Sequence, residues 1–296
     1  MATWLPRAVG ANMKIVTVKR AAALVAASVL TVLVAPGASA AAGQANGPGA
    51  ASASLEPKVR IDVVEGELSR QERRDQQLLD RAMRDLQARG FAGLDRHLAG
   101  LRRALDGAPA AYPQMEQRGK GEWILRSDDF GETMVLTTVI QSMAGGEGVT
   151  EVTVRRQPNV YPFIALILGS EAVERRRLDE AVKLLDRGLA LQDDDWMLLK
   201  EKASALQAGG RHDEALAVLD QALAEDSLRI LMNAGPLHRG RGFSLIEQGR
   251  LKEARAAYDA ALELDPEDGH ARRQLAYIDG LEAGQPPVAG SVVLAP

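Results

Sequence analysis

Three segments of this chain repeat one pattern at a spacing that few folds can use. The first reads Leu178-Asp179-Glu180-Ala181, then Leu185, then Gly188-Leu189. The second reads Asp213-Glu214-Ala215, Leu219, Ala222-Leu223, and the third Lys252-Glu253-Ala254, Tyr258, Ala261-Leu262. Each has a small residue, a larger apolar residue four positions on and a small residue three after that, which is one face of an α-helix. Ala181 to Ala215 is 34 residues, and Ala215 to Ala254 is 39, a 34-residue step with a five-residue insertion near Ser227 to Ala234. Gly210 and Gly249 stand where the chain must turn from one helix into the next. The small residues let two helices approach closely, and the larger one fills the groove of a neighbouring hairpin. One hairpin cannot bury its apolar face alone, so about three must stack and the ends must be capped. His270 to Leu281 is expected to be the far cap, with Leu275 and Ile278 inward and Arg272, Arg273 and Asp279 toward water.

This helix-turn-helix period resembles the tetratricopeptide repeat family over residues 162–284. Leu168-Gly169 and Arg241-Gly242 put glycine, and Ala203 puts alanine, where that family keeps the first helix small. Asp265-Pro266 closes the third repeat as the family's proline does. Arg176 replaces the first turn glycine, Lys202 and Arg241 replace a usual leucine, and the first two repeats lack the terminal proline. The resemblance implies a mainly α fold: a C-terminal α–α solenoid of three hairpins plus a capping helix, preceded by a small α+β segment. It also implies a protein- or peptide-binding role and no catalysis, with the first helices lining a concave surface. In that register Lys200, Arg239 and Arg273 occupy corresponding places, and Ser204, Phe243 and Tyr277 lie one turn further along. Such a column suits an extended peptide with an acidic side chain or a terminal carboxylate. Three solvated surface cations are the competing reading. Chaperone-binding members of the family hold a terminal carboxylate with Lys plus Asn, and the Asn is absent here.

The N-terminus bears on where the protein works. Lys14, Lys19 and Arg20 precede Ala21 to Val34, an apolar run broken only by Ser28 and Thr31, and Pro36-Gly37 and Ala38-Ser39-Ala40 follow. That order makes residues 1–40 a secretory signal peptide, cleaved after Ala40. The competing reading is a membrane anchor, but a 14-residue run is short against the roughly 20 needed to span a bilayer. Met13 offers a second start beside Lys14. Residues 41–56, rich in Ala, Gly and Ser, read as a flexible linker. Cleavage removes four cations (Arg7, Lys14, Lys19, Arg20) and no acids, taking the formal charge from −4 to −8. So acidic a chain argues against a nucleic-acid partner. The absence of cysteine excludes a lipoprotein anchor, disulfides, thiolate metal sites and cysteine catalysis. Export is expected to the periplasm in preference to the extracellular space, with no stable membrane anchor once the signal peptide is gone.

Residues 57–161 are expected to form an α+β segment. Leu79, Met83 and Leu86 share one helical face, Leu94, Leu98, Leu101 and Leu105 another, and Gly90 separates them as a C-cap would. Two or three strands should follow: Trp123 to Leu125, the β-branched run Thr133 to Ile140, and Thr150 to Val154. The Thr133 to Ile140 run also fits a buried helix. The Leu68 to Asp106 hairpin is expected to cover the outer edge of the first repeat, or to leave that edge free to dimerise. Beyond Gly284, residues 285–296 carry no pattern and should be a mobile tail.

The chemistry-bearing residues are sparse. Among His97, His212, His238 and His270 no two stand at i, i+4, so neither a metal nor a cofactor is expected. His97 beside Arg96 reads as a solvated helix face. His212-Asp213-Glu214 and Asp193-Asp194-Asp195 read as acidic helix openings, the latter for a helix from Trp196. The rival function is an enzyme or small-ligand binder with its site in residues 107–157, using Trp123, Asp128, Asp129 and Glu132, and with the repeats as a recruiting arm. Those carboxylates read more simply as a turn between strands.

Overall fold

The computed structural model describes residues 59–286, so the expected signal peptide, the expected linker and residues 287–296 of the expected tail lie outside the described residues. In chain order the elements are β1 (Arg60–Glu65), α1 (Arg70–Arg89), α2 (Leu98–Asp106), β2 (Met115–Gly119), β3 (Glu122–Arg126), α3 (Phe130–Gly146), β4 (Glu151–Gln157), α4 (Val160–Glu174), α5 (Leu178–Leu189), α6 (Trp196–Ala208), α7 (His212–Ala224), α8 (Leu228–Met232), α9 (Ala234–Glu247), α10 (Leu251–Leu264) and α11 (Gly269–Glu282). They fall into two compact units. One joins the described residues up to Glu67 with Met115–Gln157, and the other joins Leu68–Gln114 with the described residues from Pro158 on.

The first unit is a four-stranded sheet in the order β1-β4-β3-β2 with α3 packed on it. β4 runs parallel to both β1 and β3, and β2 is antiparallel to β3. The β3-α3-β4 crossover makes that parallel pairing possible. Val152 and Val154 of β4 are buried, with Trp123 and Leu125 of β3 on the same face. Glu151 and Arg155 point the other way and are exposed. Thr133 to Ile140 is therefore helix and not strand. Asp129 starts it by accepting the Glu132 backbone N–H at 2.6 Å, and Thr133, Leu136, Ile140 and Ala144 are buried at helical spacing. A capped 3.6-residue period outweighs the strand preference of the β-branched side chains. The sheet also has two strands that were not expected. β2 is polar and ends at an irregularity between Gln117 and Gly119, and β1 is an edge strand without alternating polarity.

The second unit carries the three hairpins α4/α5, α6/α7 and α9/α10, closed by α11. The insertion between the second and third repeats folds as the short helix α8. The small positions work as expected. A Cβ on Gly169 would lie 2.6 Å from the Leu185 side chain, and one on Gly242 would lie 2.6 Å from the Tyr258 ring. Gly210 and Gly249 both turn at φ +71°. Arg176, at the place of the missing first glycine, takes φ +59° and is the one non-glycine residue with positive φ among the described residues.

The helices α1 and α2 belong to this unit, which divides the expected 57–161 segment. Leu79, Leu94, Leu101, Leu105 and Tyr112 share one core with Tyr161, Ile164 and Leu168 of α4. α4 is apolar almost all round and gives their apolar faces a surface to bury against. The outer edge of the first repeat is thereby covered. Tyr161 anchors the contact: its ring meets Tyr112 edge-on at 5.0 Å and its hydroxyl donates to Asp75 at 3.1 Å. His97 is buried, not solvated. Its Nε2 lies 2.5 Å from Asp85 Oδ2, which Arg96 also engages. Those two hydrogen bonds hold the Asp85 carboxyl well below the usual carboxylate range. Sequence spacing alone could not show that the Gly90–Leu94 3₁₀ turn folds His97 back over α1.

Candidate functional site

The six residues of the expected column belong to the helices α6, α9 and α11. Lys200, Ser204, Arg239, Phe243 and Tyr277 are half-buried and Arg273 is exposed. Ser204 turns its hydroxyl back to its own helix, donating to the Lys200 carbonyl at 3.0 Å. The Phe243 ring packs against His212 with centroids 5.8 Å apart. Tyr277 lies against the apolar cluster shared by α10 and α11.

The three cations are not equivalent. Arg239 donates through Nη1 to Asp268 Oδ2 at 2.6 Å. Asp268 is the N-cap of α11, and its Oδ1 accepts the backbone N–H of His270 at 2.9 Å and of Ala271 at 3.0 Å. Burial pushes the Asp268 carboxyl up, but the Ala271 N–H and the Arg239 guanidinium outweigh it and hold it below the usual range. Arg239 thus fastens the capping helix to the third repeat. Lys200 and Arg273 make no ion pair among the described residues. They remain the cations open to a partner.

Sequence reasoning missed an open groove of about 320 Å³ lined by Asp220, Leu223, His238, Arg241, Ala257 and Ala260. Its sequence signal was present. Ala257 and Ala260 of the third repeat stand where the second repeat has Val218 and Gln221. Burial, and then the Arg241 guanidinium, pull the His238 imidazole below its ordinary value.

The residues named for the rival site are otherwise engaged. Trp123 is buried in the sheet core, Asp129 caps α3, and Ser127 Oγ donates to Glu132 Oε2 at 2.6 Å. Asp129 and Glu132 sit at a strand-to-helix start, not at a turn between strands. Asp195 is the expected acidic opening of α6, accepting from Met197 and Leu198 at 3.0 and 3.2 Å. It is also buried against Arg229 of α8, at 3.0 Å.

Tetratricopeptide repeat family models match residues 168–229 and 236–268. The helical unit is a tetratricopeptide-like solenoid. Solved structures similar to this chain include the second TPR domain of human RPAP3 in complex with an HSP70 peptide, with 22% identity and a TM-score of 0.35 over 40% of this chain and 98% of that one. The Sgt2 TPR domain from Aspergillus fumigatus has 20% identity and a TM-score of 0.38 over 47% of this chain and 93% of that one. A thermophilic TPR protein of Thermus thermophilus has 18% identity and a TM-score of 0.34 over 69% of this chain and 98% of that one. No curated protein matches the chain. Among the described residues, no helix of either the sheet unit or the solenoid is long and apolar enough to cross a membrane.

Proposed function

We propose that this protein is an exported protein-binding scaffold that holds a protein or peptide segment across the first helices of its solenoid. Tetratricopeptide repeats are protein- and peptide-binding modules, and stacked hairpins build an extended surface for that purpose. What supports the reading is the make-up of the expected column. Among the described residues Lys200 of α6 and Arg273 of α11 make no ion pair, and the half-buried rings of Phe243 and Tyr277 stand on α9 and α11, on a chain of formal charge −4. Cations and aromatic rings so placed favour an extended segment with an acidic side chain or terminal carboxylate. Arg239 shapes the site by holding α11 in place. The pattern of residues 1–40 supports export, with the periplasm as the working compartment. The acidic balance supports a protein partner over nucleic acid, and nothing in the arrangement of Asp129 and Glu132 favours a catalytic role.

The test is capture from an envelope fraction followed by titration of the captured partner. The double variant Lys200→Glu/Arg273→Glu should weaken binding by about tenfold or more, since two reversed charges each oppose the partner. Equal binding by parent and variant would remove the column from the site. A parent chain that captures nothing from the fraction would remove the scaffold reading. Arg239→Glu is a poor probe, because it also unfastens the α11 cap.

A further inference from the structure

The helix α1 carries a row of positive charge that the rest of the molecule does not answer. Its apolar side is covered: Leu79 and Ala82 lie in the core shared with α4, and Leu78, Met83 and Leu86 pack against that core. Arg70, Arg73, Arg74, Arg81 and Arg84 are all exposed. At 3.6 residues per turn these five fall within an arc of about 100°, opposite the covered side. Gln77 and Ala88, also exposed, complete the arc. From Arg70 to Arg84 the row runs roughly 20 Å, at 1.5 Å per residue.

The charge of the row is not neutralised from within. Arg70, Arg81 and Arg84 make no ion pair among the described residues. Arg73 and Arg74 donate to neutral oxygens, Leu68 O at 3.3 Å and Gln71 Oε1 at 2.6 Å. Three of the four acids of α1 are held away from it. Glu72 accepts the Ser69 N–H at 3.0 Å, Asp75 is buried and accepts from Tyr161, and Asp85 engages Arg89, Arg96 and His97. Asp80, which accepts from Gln76 at 2.7 Å, is exposed at the margin of the arc. The repeats treat arginine differently: Arg177, Arg211 and Arg255 each pair with two carboxylates.

We propose that the arginine row of α1 is a peripheral docking surface for an anionic lipid membrane, which it meets through the headgroup phosphates. Clusters of four to eight cations on an amphipathic helix are what anionic lipid surfaces attract. The guanidinium fork matches phosphate oxygens two at a time, and all five cations are arginine. A folded protein partner would need a desolvated core of aromatic or aliphatic side chains. The arc offers none, because the apolar residues of α1 face α4. Nucleic acid is disfavoured by a chain of formal charge −4. A lipid surface needs no matching shape, since its headgroups move laterally to meet the row. The acidic remainder of the molecule is repelled by the same surface, so α1 is the side turned toward it. This contact is independent of the peptide-binding column.

The test is sedimentation of the full chain with vesicles of phosphatidylglycerol and phosphatidylcholine in equal parts. The parent should bind at about 50 mM salt and be released as rising salt screens the row. Each arginine near such a surface contributes a factor of about five in affinity. Arg81→Gln/Arg84→Gln should therefore bind about 25-fold more weakly, with unchanged circular dichroism, since glutamine is as good a helix former as arginine. Lys183→Gln/Lys252→Gln removes two exposed cations from α5 and α10 and has the same formal charge. It should bind as the parent does. Residues 1–40 are common to all three chains, so their own affinity for lipid does not enter the comparison. A parent that does not bind the vesicles overturns the proposal. So does equal loss in the two double variants, or no loss in either. Tighter binding to mixed-sequence duplex DNA or to polyglutamate than to the vesicles would assign the row to nucleic acid or to an acidic protein, and this also overturns it.

Discussion

Arg176 shows how a departure from the repeat pattern is absorbed at a single residue. The second and third hairpins turn on Gly210 and Gly249, and the first makes the same turn with an arginine at φ +59°. A side chain in the left-handed region costs roughly 1–2 kcal/mol, and glycine avoids that at the expense of a more flexible unfolded chain. Arg176→Gly should therefore stabilise the protein by about 0.5–1 kcal/mol, read as a higher urea midpoint with unchanged slope. A lower midpoint would mean that the Arg176 side chain contributes more than its backbone costs. Lys202 and Arg241, which depart from the usual leucine, have a shared explanation. Lys202 Nζ reaches Asp186 at 2.6 Å, and Arg241 Nε reaches Asp220 at 2.6 Å. Asp186 and Asp220 are one repeat apart, so an ion pair between adjacent hairpins replaces the usual leucine contact.

At the scale of elements, the insertion that broke the 34-residue spacing became α8, which is held by polar contacts more than by its length. Arg229 is buried, with Nη2 3.0 Å from Asp195 and Nη1 2.9 Å from Gln192 Oε1, and Gln192 bonds in turn to Asn159 at 2.8 and 2.9 Å. Burial pushes the Asp195 carboxyl up even though Arg229 and the α6 N–H groups pull it down. Removing one member of a buried pair leaves an uncompensated charge, which costs about 3–5 kcal/mol. Arg229→Met should approach that loss in denaturant unfolding, and Arg229→Met/Asp195→Asn should recover part of it. A double variant no more stable than the single would show that the charge of Asp195 is not the cause. None of this was legible in the sequence, because Asp195, Arg229, Gln192 and Asn159 meet only after the hairpins stack. The hairpins themselves were legible, because Ala181, Ala215 and Ala254 mark close approaches that recur along the chain. The strand expected at Thr133 to Ile140 failed for the opposite reason. Its residues favour a strand locally, and only the Asp129 cap and the burial of every third or fourth residue made it α3.

Over the whole molecule, stability should depend on pH through two histidines that the repeats leave half-buried. Burial, and then a neighbouring guanidinium, lower both imidazoles from the ordinary 6.5: Arg241 acts beside His238 and Arg239 beside His270. The folded state therefore binds fewer protons than the unfolded chain just below that value. The contribution of each histidine is fully present above the unfolded pKa, and it is lost as pH falls through 6.5 toward the lower folded value. Asp85, Glu214 and Glu253 are lowered carboxylates, whose contribution is lost only in more acid solution. Glu225 acts in the other direction: burial raises it, so its protonation in acid solution favours the folded state. The parent curve alone would mix these contributions, whereas the difference between parent and His238→Gln/His270→Gln isolates the histidines. Urea midpoints measured from about pH 8 down to about pH 6 should fall more steeply for the parent than for the double variant, because neutral glutamine has no proton to bind. Parallel curves would show that both imidazoles titrate alike in the folded and unfolded chains, and that the groove wall at His238 and the α11 cap at His270 are wetter than their packing implies.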